Sequence, residues 1–134
     1  MAVNEKHKKE MKINIEGGET IAEVKEHFQK VYPMLKLEFF KHEHKAGEGS
    51  PLSDKISDEH KLDEVRTSHT EGSLEFDPQT IISDLESKFH DQFGLNVQVF
   101  RKSGELWLEI ISTDNRSLRE ENEWAEEMAR PAED

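Results

Sequence analysis

The chain contains no cysteine. Disulfides, thiolate nucleophiles and cysteine-type zinc sites are therefore excluded. No run of about 18 apolar residues occurs, so the sequence predicts no membrane-spanning helix. Cationic residues are scarce: 18 Lys and Arg stand against 30 Asp and Glu, a net charge of −12 over 134 residues. That balance argues against nucleic acid and against anionic membrane surfaces, which both attract cationic proteins. The opening segment MAVNEKHKKEMK lacks an apolar stretch, so no secretory signal is expected, and the expected location is cytoplasmic. Apolar residues make up only 33%. They fall in periodic blocks, however, which predicts a lean folded core rather than a disordered chain.

The blocks predict one domain over residues 11–129, preceded by a flexible arm (1–10) and followed by a flexible tail (130–134). MKINI (11–15) reads as a short strand. Ile21, Val24, Phe28 and Val31 follow at helical spacing, with Thr20 and Glu23 placed for a capping box and Pro33 to end the helix. LKLEFFK (35–41) alternates as a strand. Residues 42–60 read as a long loop, KLDEVR (61–66) as a helical turn, and residues 73–76 as a third strand. Asp77 and Pro78 suit the N-cap and first position of a helix reaching about Gln92, with Gly94 as its C-terminal cap. LNVQVFRK and ELWLEIIS flank Ser103-Gly104 as a hairpin. Ser117 with Glu120 begins a final helix to about Ala129.

Strand, helix and strand occur twice at an offset of about sixty. Thr20-Ile21 stands sixty residues before Thr80-Ile81, and LKLEFFK stands sixty before LNVQVFR. Two such units predict an α+β fold. It would be a ferredoxin-like arrangement of duplicated βαβ units in one mostly antiparallel sheet, with an extra edge strand and a C-terminal helix. Strict alternation would turn Leu35, Leu37, Phe39, Val97, Val99, Leu106, Leu108 and Ile110 toward the helices. Phe40, Phe100, Trp107 and Ile111 would fall on the opposite sheet face, and leaving all four wet would forgo roughly 6–12 kcal/mol. The C-terminal helix, a second copy or a docked partner could cover them.

Chemical motifs are sparse. His42 and His44 stand two apart, a spacing that places both on one face of a strand and suits a metal, but without cysteine or HExxH they remain weak ligands, and no metal or other cofactor is expected. GEGSP (47–51) lacks the GxxxxGK[ST] pattern of a phosphate loop. The acidic pairs lie in solvated stretches that would not tune a general acid or base, so no catalytic residue is assigned. Arg101 and Lys102 form a local basic group beside the hairpin turn that could meet an acidic partner.

The stretch FGLNVQVFRKSGELWLE (93–109), with TDNRSL after it and EVRTSH and EG before it, resembles a group of small uncharacterised bacterial proteins. LKLEFFKHEHKAGEGS (35–50) resembles the first half of the same group. The resemblance implies a free-standing bacterial cytoplasmic domain and brings no activity, cofactor or catalytic residue. From the residues themselves the expected function is a non-catalytic protein-interaction module. It would meet a protein partner or a second copy through Phe40, Phe100, Trp107, Ile111, Arg101 and Lys102, or through the edge of the fifth strand. The alternatives are a small-ligand or metal-binding regulatory domain using the His42/His44 loop, and an enzyme of unknown class.

Overall fold

Two Ser/Thr–Glu capping boxes fix the ends of helices as the local sequence requires. In the computed structural model, helix α1 (Ile21–Val31) starts where Thr20 Oγ1 accepts from the Glu23 N–H while the Glu23 carboxylate accepts from the Thr20 N–H. It stops at Tyr32, ahead of Pro33, which disfavours helix before it. Ser117 and Glu120 repeat the exchange at the start of the C-terminal helix, Leu118–Ala129. The structure describes residues 11–14, 18–41, 52–67, 73–110 and 116–130, with residues 11–14 and 52 described through their backbone alone. The expected arm (1–10) and all but Arg130 of the expected tail lie outside the described residues, as do His42, His44 and Ile111.

The remaining elements are β1 (Met11–Asn14), β2 (Leu35–Phe40), the one-turn helix α2 (Leu62–Val65), β3 (Ser73–Phe76), α3 (Ile82–Phe93), β4 (Asn96–Ser103) and β5 (Leu106–Glu109). The C-terminal helix is α4. The fold is α+β, as expected. Among the described residues, however, its strands form two hydrogen-bonded sheets rather than one: β1 with β3, and β2–β4–β5, all antiparallel. The single ferredoxin-like sheet is therefore replaced. The physical reason lies in the pairing: β1 joins β3 and β2 joins β4, so like segments pair with like, and neither pair bonds to the other.

The registers are centred accordingly. Glu38 lies opposite Gln98, and Ile13 lies opposite Leu74. Around these centres the same hydrogen bonds recur. Ile21 N–H donates to His60 O and Leu62 N–H to Glu19 O; Ile82 N–H donates to Arg116 O and Leu118 N–H to Thr80 O. Ile56 N–H donates to Phe39 O beside a Phe40–Lys55 bridge. Ile110 N–H donates to Val99 O beside the Phe100–Glu109 pair. The segment around Lys55 thus holds the outer edge of β2 as β5 holds that of β4. Residues 52–60, expected as loop, contain this bridge and a 3-10 turn at Leu52–Asp54.

These contacts also correct the start of α3. Asp77 does not cap the helix; its carboxylate accepts from Gln79 N–H, holding Pro78 in a turn. Ile81 stays extended because it bridges to Ser117, and the helix begins at Ile82. At the other end Gly94 takes φ 66°, the left-handed conformation glycine adopts most readily, and its N–H donates to His90 O.

One apolar core lies between the helices and the inner sheet faces. Ile21, Val24 and Phe28 of α1 and Leu85, Phe89 and Phe93 of α3 meet Leu35, Leu37, Phe39, Val97 and Val99. Phe39 and Phe89 pack edge to face with centroids 5.5 Å apart. Leu118 joins the same cluster, and Arg101, on the inner face of β4, meets Glu121 of α4. Helix α4 therefore packs on the helical side of the sheet. Leu106 and Leu108, expected to face the helices, run past them and stay 65% and 40% exposed.

Candidate functional site

The outer face of the three-stranded sheet carries Lys36, Glu38 and Phe40 from β2 and Asn96, Gln98 and Phe100 from β4, as the register requires. Phe40 and Phe100 therefore share a face. Both are buried, at 1% and 6% exposure, so neither ring presents a free contact surface. Trp107 is half-buried on the same face, opposite Lys102. The Lys36 ammonium lies 5.5 Å from the Phe100 ring centre and 5.0 Å from that of Trp107, so the lysine joins the two rings.

At the middle of this face the buried Glu38 carboxylate gathers three lysines: Lys25 at 2.7 Å, Lys36 at 3.3 Å and Lys55 at 3.3 Å. Lys25 also binds Asp58 at 2.9 Å. Burial works against the charge of Lys25, and the Glu38 and Asp58 carboxylates more than offset it, so its pKa is raised. Gln98, opposite Glu38, donates Nε2–H to Ile110 O at 2.8 Å, while its buried Oε1 has no partner. Sequence reasoning missed this cluster because its lysines come from three separate segments and alternation alone does not show what crosses a sheet edge.

Arg101, proposed with Lys102 as a basic group, is committed on the other face. Its guanidinium lies 3.6 Å from Glu121 and 4.5 Å from the Trp124 ring centre. Arg116 holds the same carboxylate at 3.2 Å and the same ring at 5.2 Å. Lys102 is exposed. The structure thus divides the proposed set: Phe40, Phe100 and Trp107 lie on the outer face, and Arg101 lies on the inner face under α4.

Two clefts accompany these features. One, of about 270 Å3, is lined by Phe40, Lys41, Ile56, His60, Val65 and Leu95 among others. The second, of about 290 Å3, lies between the end of α1 and α4 and includes Tyr32, Lys30, Arg119 and Asn122. The Tyr32 hydroxyl is buried without a hydrogen-bond partner, and burial, with the nearby Asp77 charge, raises its pKa. Among the described residues no group of three or more His, Asp or Glu side chains is placed to hold a metal. No described helix is long and apolar enough to cross a membrane. Compared with known proteins, the chain matches no family model, no curated protein and no solved structure.

Proposed function

We propose that the chain is a non-catalytic protein-interaction module that uses the outer edge of β5. The observation that carries this reading is the exposure of Leu106 and Leu108 on a strand that, among the described residues, has a neighbour on one side only. An edge strand offers unpaired backbone donors and acceptors, and two leucines on one of its faces give an added strand something to bury. The occupant adds a fourth strand beside β5, from a protein partner or a second copy. Trp107, with Lys36 against its ring, flanks the other face.

The same reading treats the chain as a duplicated β-α-β-β-α unit. Its support is the recurrence of the Ile21/Leu62 hydrogen bonds at Ile82/Leu118 and of the Ile56 bond at Ile110. The bacterial cytoplasmic setting implied by the sequence resemblance belongs to this proposal as well.

The test is light scattering over a range of concentrations, together with crosslinking from a single introduced cysteine, Leu106→Cys, unique in a chain without cysteine. Association that is lost in Leu106→Lys/Leu108→Lys, or a defined adduct at residue 106, supports the edge. A monomer at every concentration with no defined adduct removes the second copy as the occupant.

A further inference from the structure

Among the described residues, three large apolar side chains stay exposed: Leu106, Leu108 and Met128. They come from two elements that meet at Arg101. Leu108 lies opposite Arg101 on the β4–β5 ladder, and Leu106 lies opposite Ser103, closer to the hairpin turn. Opposite residues on an antiparallel ladder share a face, so both leucines are on the side of the sheet that carries α4. Trp124 of α4 stacks on the Arg101 guanidinium, and Glu121 pairs with it. Met128 follows one turn after Trp124 and two turns after Glu121, on the same face of the helix.

The backbone decides which side chains an added strand would send there. Ile110 N–H donates to Val99 O. Bonded and non-bonded positions alternate along an antiparallel pair, so Leu108 and Leu106 turn their N–H and C=O groups to β4, and Trp107 turns its own to the open side. A strand added there bonds across from Trp107. Its residue at that point faces outward with Trp107, and the residues before and after it face inward, beside Leu106 and Leu108. The charges near this edge are negative. Glu109 shares the outer face with Trp107, the exposed Glu105 precedes the strand, and the exposed Glu127 adjoins Met128 on α4. Lys102 lies on β4, one strand further from the edge, and Lys36 is held by Glu38. The whole chain carries −12.

We infer that the occupant of the β5 edge is an extended segment of a partner protein in which apolar and basic residues alternate. This rests on the edge reading above and names its occupant. The inward apolar side chains cover Leu106 and Leu108 on the side of Met128. The outward Lys or Arg side chains lie across from Trp107, between Glu105 and Glu109, where opposite charge favours them. A second copy brings the same net charge, and antiparallel pairing centred on Trp107 would set Glu105 of one copy against Glu109 of the other.

The probe is a short end-capped peptide of alternating valine and lysine, titrated into the full-length protein and followed by amide NMR shifts. The expected result is saturable shifts at Leu106, Trp107, Leu108 and Met128 up to about 1 mM peptide. Affinity falls by about tenfold or more between about 50 mM and about 500 mM salt. It falls by a similar factor in Leu106→Asn/Leu108→Asn, a neutral change at exposed positions, and by about threefold or more in Met128→Gln. N-methylation of the lysine amides, which point at β5, abolishes binding, whereas N-methylation of the valine amides, which point away, is tolerated. Equal affinity for a peptide alternating valine with glutamate, for the lysine peptide with its valines and lysines in separate blocks, or for the lysine-N-methylated peptide would overturn the inference. No peptide binding, with self-association or a defined adduct at residue 106, would overturn it and leave the edge to a second copy. No binding, no association and no adduct would overturn both readings.

Discussion

Glu38 and Gln98 stand directly opposite each other on the β2–β4 ladder, both buried, and one is heavily partnered while the other is half satisfied. The carboxylate holds Lys25, Lys36 and Lys55, while the amide oxygen across from it holds nothing. Glu38 is therefore the electrostatic centre of the outer face. Glu38→Gln keeps its shape and removes its charge. Lys25, only 15% exposed, is left with Asp58 alone. Urea unfolding at neutral pH should show a loss of about 2–3 kcal/mol, below the range for a fully enclosed pair because Asp58 remains. An unchanged midpoint would show that the cluster is solvated.

Alkaline pH should weaken the fold in two places. A lysine whose folded pKa is raised contributes stability that is full below its unfolded value and is lost as pH rises through the folded one; Lys25 is such a group. The raised Tyr32 hydroxyl acts in the same direction, since the unfolded chain gives up its proton first. Unfolding midpoints should therefore fall between about pH 9 and pH 11, and less steeply in Lys25→Met and in Tyr32→Phe.

At neutral pH, Tyr32→Phe should raise stability by about 1 kcal/mol, because it removes a buried hydroxyl that has no partner while keeping the ring against Phe28. A loss instead would reveal a bond to ordered water or ligand in the cleft beside α4.

The caps should be separable by pH. Thr20→Ala and Ser117→Ala should each cost about 1 kcal/mol in urea unfolding. The backbone bonds from Thr20 and Ser117 hold the Glu23 and Glu120 carboxyls below their ordinary range. Depressed carboxyl pKa values give stability that is present above the unfolded value and lost as pH falls through the folded one. Glu23→Gln and Glu120→Gln, which remove the titrating carboxyls themselves, should therefore lose less than the parent between about pH 5 and about pH 3, the bounds of carboxyl titration.

Gly94→Ala should cost about 1–2 kcal/mol, since alanine at φ 66° carries the left-handed penalty. Thermal unfolding of the single variant checks it, and an unchanged midpoint would mean that the α3 cap relaxes freely.

Local features were the legible ones. The Thr20 and Ser117 capping boxes, the Gly94 cap, the Pro33 stop and the hairpin about Gly104 each depend on residues within a few positions, so the sequence displays them directly. Strand partnership was not legible, since β1 finds β3 across some sixty residues and no local pattern distinguishes that pairing from a single sheet. The start of α3 was misread for a related reason: Asp77-Pro78 is a sound helix opening in isolation, and only the bridge from Ser117 keeps Ile81 extended. Alternation placed Phe40 and Phe100 on one face correctly, yet it could not show their burial or the lysines drawn to Glu38 from α1 and from residue 55.

The bridge between Phe40 and Lys55 covers the last part of the β2 edge with the chain's own backbone, and among the described residues no strand covers the outer side of β5. Two copies joined β5 to β5 would each cover the other's open edge, an arrangement that closes on itself as a pair instead of growing into a fibril.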